Sequence, residues 1–320
     1  MSGISVALAA YRGERFIAGQ VASLLAQTVP PDEIVITDDS PDDLTERALG
    51  PFAGDARIRY FRNPERLGVN GNFERALSLC RGEYLFLCDQ DDVWLPEKIG
   101  TMVRVLEEDP SADGVFCDST AVDAELRPLG YSLWRMRGFS RAMRRRLAGG
   151  DSLGVFLKRV TLSAHNIAIR RRVLPLILPY PVLEPFYSDT WIALRVASTG
   201  KWAMTERELT LYRVHGGNLS SPGAASLAEQ ARQSRRGARL GARGRTAELG
   251  GELLRRLPET APEHVRSQLE AFTRHYAVRR DYPAGFFRRF GQVFREVCTG
   301  RYARYANGWR SVAADLFLFR

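Results

Sequence analysis

Tyr84-Leu85-Phe86-Leu87-Cys88 is an uninterrupted apolar run that ends in Asp89-Gln90-Asp91-Asp92. A short run with no polar face belongs to a strand buried on both sides, the mark of a parallel sheet covered by helices. The chain before it keeps the same rhythm. β-type runs at Ile4 to Ala9, Glu33 to Thr37 and Arg57 to Phe61 alternate with helical patterns at Arg15 to Gln27, Leu44 to Phe52 and Gly71 to Leu79. The expected fold is α/β, a mainly parallel sheet flanked by helices. In such sheets ligands bind beyond the carboxyl ends of the strands. Here those ends carry Ala9-Ala10-Tyr11, Asp38-Asp39-Ser40, Asn63-Pro64 and Asp89-Gln90-Asp91.

Further on, a helix is expected from Pro96, a strand at Gly114 to Cys117 and an Arg-rich helix with an exposed basic face over Arg135 to Arg146. A run at Leu162 to Ile169, a helix over Ser188 to Ser198 and two short strands, Lys201 to Met204 and Leu209 to Tyr212, complete the pattern. Ser220-Ser221-Pro222-Gly223 reads as a linker. It divides residues 1–220 from a basic helical C-terminal extension, residues 221–320, which holds 19 arginines against 9 acidic residues. The formal net charge of +9 therefore belongs to the extension, and the first 220 residues are near neutral. Such a tail suits anionic lipid, nucleic acid, an anionic acceptor or plain solvent. Its arginines match no base-reading pattern, so no nucleic-acid partner is expected. Four cysteines without metal-site spacing imply a reducing setting. No secretory signal opens the chain, and the apolar segment Val173 to Leu183 is broken by Pro175, Pro179 and Pro181. A cytoplasmic protein without a membrane span is expected.

Asp89, Asp91 and Asp92, crowded at a strand end, either raise one another's pKa or gather a cation, and hard oxygen ligands suit Mg²⁺ or Mn²⁺. Such a cation would neutralise a diphosphate. The other reading is a turn whose carboxylates cap the next helix, but Trp94-Leu95-Pro96 closes this loop with apolar bulk. Asp38 and Asp39 can accept hydrogen bonds from a nucleobase or ribose, or can serve a turn and helix N-cap. Asp189 opens a helix, as a cap or as a general base. His215, before two glycines, is a structural hydrogen-bonder or a ligand.

Taken in order, these segments resemble the family 2 glycosyltransferases of the GT-A fold, in particular a bacterial rhamnosyltransferase-like branch. The likeness spans about residues 3–220. It rests on Ile4 to Tyr11, Ser23-Leu24-Leu25-Ala26-Gln27-Thr28, Ile34 to Asp39, the stretch Asn63 to Phe73, Arg81 to Trp94 with its DxD element, Ser188-Asp189-Thr190-Trp191 and Leu211 to Asn218. The chain departs from the family at Ala9, Ala10, Arg12, Ser40 and Ser188, which leaves the donor base open.

The resemblance implies an inverting, metal-dependent transfer of a sugar from a nucleotide-sugar donor. Ala9, Tyr11, Asp38, Asp39, Arg66, Asn72, Asp89 and Gln90 would bind the donor. Asp91, Asp89 and His215 would hold Mg²⁺ or Mn²⁺, and Asp189 would be the catalytic base. The branch points to rhamnose carried on dTDP. The implied acceptor is a saccharide or lipid-linked saccharide in cell-surface polysaccharide synthesis. The competing reading is a nucleotide-sugar-binding or scaffolding protein without catalysis. In the extension, Phe286-Phe287-Arg288-Arg289-Phe290, Tyr302-Ala303-Arg304-Tyr305 and Leu316-Phe317-Leu318-Phe319 interleave aromatic and basic residues. They suit peripheral contact with an anionic membrane or packing on the catalytic domain or a second subunit.

Overall fold

The computed structural model describes residues 3–183, 186, 188–216, 236–283 and 285–317. Strands β1 (Ile4–Ala10), β2 (Glu33–Asp38), β3 (Ile58–Arg62) and β4 (Tyr84–Asp89) alternate with helices α1 (Ile17–Leu25), α2 (Leu44–Ala48) and α3 (Gly68–Leu79). Every residue of β2, and all of β4 but Asp89, is buried, as the apolar runs require. The four strands are parallel, and their register sets the site: Ala9 lies beside Asp89, Ala10 beside Asp38, and Asp38 beside Arg62. Tyr11, Asp39, Asn63 and Gln90, each just past a strand end, therefore meet at one edge of the sheet.

The chain continues through β5 (Val93–Trp94), α4 (Lys98–Glu108), β6 (Gly114–Val122), β7 (Pro128–Ser132), α5 (Leu133–Arg137), α6 (Arg141–Ala148) and α7 (Ser152–Lys158). Then follow β8 (Ile167–Arg170), α8 (Leu174–Ile177), α9 (Ser188–Thr199) and β9 (Trp202–Arg213). Among the described residues these strands form one sheet in the order β3-β2-β1-β4-β8-β6-β9-β5, with β7 beside β6. Antiparallel pairing of β8 with β4 and β6 makes the sheet mixed.

Two local expectations need correction. The pair of short strands after residue 200 is a single strand, β9; the exposed Glu206, Arg207 and Glu208 between them lie where its register with β6 shifts. A bulge lets polar residues leave the ladder without ending it. The Arg-rich segment is two helices. Gly138, at φ 70°, ends α5 in the left-handed region, and the Ser132 and Ser140 hydroxyls cap α5 and α6.

Helices α10 (Arg236–Arg255), α11 (Glu263–Arg280), α12 (Phe286–Cys298), α13 (Arg301–Tyr305) and α14 (Trp309–Phe317) follow. The expected linker at Ser220 to Gly223 lies outside the described residues. Leu249, Leu253, Leu257, Leu269 and Phe272 join the same apolar cluster as Trp191, Ile192 and Trp202, so the extension shares a core with the sheet's helices. Asp315, wholly buried, accepts hydrogen bonds from Arg279 Nε at 2.7 Å, from the Tyr302 hydroxyl at 2.7 Å and from Arg243. Such multiple hydrogen bonding is what a buried charge needs. No helix among the described residues is long and apolar enough to cross a membrane.

A shared core predicts shared unfolding. Leu253, with no exposed surface, is expected to cost about 2–5 kcal/mol when changed to alanine. In calorimetry of Leu253→Ala the whole chain should melt earlier in one transition; an early melt confined to a minor transition would make the extension a separate unit.

Candidate active site

A cavity of about 290 Å³ opens at the sheet edge where the strand ends converge. Ala9, Tyr11, Asp39, Arg66, Asn72, Asp89, Gln90, Asp91 and Asp189 line it, together with Ser163, His165 and Tyr212. A larger hollow of about 340 Å³ lies among the C-terminal helices, but its Arg243 and Arg279 are committed to Asp315.

At one end of the cavity the Arg66 guanidinium stands 4.3 Å from the centre of the Tyr11 ring, a cation–π contact. Gln90 fixes Tyr11 from the other side: the Tyr11 N–H donates to Gln90 Oε1 at 2.8 Å and Gln90 Nε2 donates to the Tyr11 carbonyl at 2.9 Å. Gly13 makes room for this clamp, since a Cβ there would come within 2.3 Å of Gln90 Oε1. Asp39 Oδ1 accepts from Asn63 Nδ2 at 2.5 Å and from the Leu67 N–H at 3.1 Å. Asn72 accepts from Asn63 and donates to the Ala10 carbonyl at 2.9 Å, bracing the strand end. Asp38 does not line the cavity. It is fully buried, with Oδ1 taken by the Ser40 N–H and hydroxyl and Oδ2 by the Tyr60 hydroxyl at 2.7 Å.

At the acidic end, His215 Nε2 lies 2.9 Å from Asp91 Oδ2. The end of β9 holds this turn: the Arg213 N–H donates to Asp92 Oδ1 at 2.9 Å and its Nε to the Asp91 carbonyl at 2.7 Å. Arg213 is thus a clamp on the loop. Gly217 and Asn218 lie outside the described residues.

Asp92 is wholly buried, and among the described residues its Oδ2 has no hydrogen-bond partner; nor has Nδ1 of the buried His165, which sits 3.6 Å from it and 3.4 Å from Asp89 Oδ2. Asp89, Asp92 and His165 bring one ligand atom each within 4.8 Å of one another. Burial, then the charge of Asp91, pushes the Asp89 carboxyl up to about 7 and Asp92 well above the usual carboxylate range. Burial, then Lys98 and Arg137, pushes the His165 imidazole well below its usual value. Carboxylates that repel one another beside unpartnered oxygen and imidazole nitrogen are a donor set suited to a divalent cation. Beneath them the buried Lys98 donates from Nζ to the His165 carbonyl at 2.5 Å and to Thr210 Oγ1 at 2.7 Å. Desolvation brings its ammonium down to about 8.

Asp189 is set on the cavity wall by its neighbours. Asn70 in α3 accepts the Ser188 N–H at 2.7 Å and donates to the Phe186 carbonyl at 2.9 Å, anchoring the start of α9. Asp189 Oδ1 accepts the Thr190 N–H at 2.6 Å. Burial raises its carboxyl above the usual range, with the Arg137 charge opposing.

His165 and Lys98 escaped the sequence reading. His165 lies inside the run Leu162 to Ile169, where it occupies a single 3₁₀ turn before β8. Its only local signal is the Ser163-to-Asn166 spacing of a capping box. Lys98 opens α4, a position at which the sequence carries no sign of its burial.

Among curated proteins, an uncharacterized protein of Mycobacterium tuberculosis, Rv1520, is 30% identical over 224 residues, covering 66% of this chain and 59% of that protein. The chain thus spans under two thirds of that relative's length. WfaP of Escherichia coli, a UDP-Glc:alpha-D-GlcNAc-diphosphoundecaprenol beta-1,3-glucosyltransferase, is 34% identical over 107 residues, 33% of this chain and 42% of WfaP. Among solved structures, the mannosyltransferase PcManGT of Pyrobaculum calidifontis, in complex with GDP-Man and Mn²⁺, superposes with a TM-score of 0.58 at 15% identity, covering 100% of this chain and 86% of that one. That likeness places the fold among the GT-A glycosyltransferases. The model of glycosyl transferase family 2 matches residues 5–174, more than half of the chain and all of the sheet edge from Tyr11 to His165. By its sequence, the chain belongs to glycosyl transferase family 2.

Proposed function

We propose that this chain is an inverting, metal-dependent glycosyltransferase that moves a sugar from a nucleotide-sugar donor to a saccharide or lipid-linked saccharide acceptor. One observation carries the reading: a single cavity gathers the Tyr11–Arg66 pair and Asp39 at one end, Asp89 and Asp91 beside it, and Asp189 on its wall. Tyr11, Arg66 and Asp39 would hold the nucleoside. Asp91 with His215, and Asp89 with Asp92 and His165 behind it, would hold Mg²⁺ or Mn²⁺, which when bound supplies positive charge to the diphosphate leaving group. Asp189 would take the proton of the acceptor hydroxyl as its oxygen forms a bond to the anomeric carbon. The bond to the diphosphate oxygen breaks on the opposite face, so the configuration inverts in one displacement.

PcManGT, bound to GDP-Man and Mn²⁺, supports the donor and metal classes. The name of WfaP, with its diphosphoundecaprenol acceptor, supports a lipid-linked acceptor. We take rhamnose on dTDP as the first donor to try and place the reaction at the inner face of the cell membrane, in cell-surface polysaccharide synthesis. Titration calorimetry with UDP, GDP and dTDP, each with Mn²⁺, tests the donor site. Binding of one of them that weakens without the metal is expected; no binding of any would sink the reading.

Gln90 serves this site through Tyr11. Gln90→Ala removes two hydrogen bonds worth about 1 kcal/mol each, so the donor KM should rise about tenfold or more while kcat changes less. A kcat loss at unchanged KM would place Gln90 in the chemical step instead.

A further inference from the structure

We propose that the outer face of α12, with the end of α14, docks on an anionic lipid bilayer. The inference stands on this surface alone and does not depend on the donor site. Helix α12 has two unlike faces. Its inner face is fixed: the buried Arg289 donates to the carbonyls of Pro283 and Leu316 at 3.1 and 3.0 Å, and the buried Glu296 lies 2.8 Å from His275 Nδ1 and accepts from Arg301 at 2.9 Å. The outer face therefore cannot roll inward. On it Phe286, Phe290 and Phe294 repeat every four residues, and their rings run in one strip with centroids 6.1 and 6.4 Å apart. Phe287 and Phe317 extend the strip at 5.6 and 6.1 Å from Phe286. Phe287 is 88% exposed, Phe294 60% and Phe317 63%.

The charge around the strip selects the partner. Between residues 286 and 317 the acidic residues are Glu296 and Asp315, and both are buried. The exposed charge there is arginine alone. Arg288 and Arg295 flank the strip, exposed and without an ion pair among the described residues. Phenylalanine that inserts among acyl chains, beside guanidiniums that reach up to phosphate, is the composition of an interfacial helix. A second copy of this face would set arginine against arginine, which argues against self-association. Leu318 and Phe319 lie outside the described residues.

The test is flotation of the purified full chain with vesicles of phosphatidylcholine, and of phosphatidylcholine with phosphatidylglycerol in equal amounts. The wild type should float with the anionic vesicles and bind neutral ones at least tenfold more weakly. The double variant Phe287→Ser/Phe294→Ser should lose at least tenfold in affinity with an unchanged melting temperature, because both side chains already face solvent. Cys298 gives a readout that needs no such variant: it is the exposed cysteine at the end of α12, and Cys80, Cys88 and Cys117 are buried. An environment-sensitive dye on it should shift to the blue on anionic vesicles. A wild type that stays unbound on both compositions, a double variant that binds as before, or a strip whose loss dissolves a dimer without changing flotation would each overturn the proposal.

Discussion

Asp91→Asn is expected to lower turnover by about 10³-fold, the effect of losing charge stabilisation worth several kcal/mol at a developing oxyanion. The amide would keep the shape of the side chain and can still hydrogen-bond His215, which lies 2.9 Å from Asp91 Oδ2, so the fold should hold. The turn is held independently by Arg213, through the Asp91 carbonyl and Asp92 Oδ1. Raising the Mn²⁺ concentration should recover part of the rate if weak metal binding is the defect. An Asp91→Asn protein with near-full activity would remove Asp91 from the mechanism.

Asp189→Asn removes the proposed base, a loss of about 10²- to 10⁴-fold in kcat. The pH profile makes this prediction specific. Burial raises the Asp189 carboxyl above the usual carboxylate range, and only the ionised form accepts a proton. The wild-type rate should therefore fall as pH drops through that raised value and level off above it. In Asp189→Asn that limb should disappear. Stability should move the other way. A carboxyl whose folded pKa lies above its unfolded one disfavours folding once ionised, so at neutral pH the amide should melt no earlier than the wild type while it keeps the contact with the Thr190 N–H. Loss of activity together with a lower melting temperature would mean that Asp189 is chiefly a helix cap.

What the sequence made legible followed from strong periodicity. The run Tyr84 to Cys88 and its aspartates located the acidic end of the site, because a doubly buried strand leaves its polar residues only at the end. Parallel pairing then brought Tyr11 and Asp39 to the same edge as Gln90 and Asp91, as the register of β1, β2 and β4 requires. Less legible were choices made by tertiary contact. Asp38 and Asp39 are the same residue type in adjacent positions, yet only Asp39 lines the cavity, since Tyr60 and Ser40 occupy both oxygens of Asp38. Lys98 and His165 meet across 67 residues, a separation that leaves no local pattern. For the basic extension the sequence left membrane contact and packing on the catalytic domain both open, because its arginines dominate its composition, whereas the residues that join the core are its leucines, Leu249, Leu253 and Leu269.

The measurement closest to the central claim is turnover of a panel of UDP-, GDP- and dTDP-sugars by the purified chain with Mn²⁺ or Mg²⁺, read as release of nucleoside diphosphate, with and without EDTA. The account predicts that one donor is consumed and that EDTA abolishes its consumption. Turnover untouched by EDTA would contradict the metal assignment, and a panel with neither turnover nor donor binding would contradict the reading of the cavity as a glycosyltransferase active site.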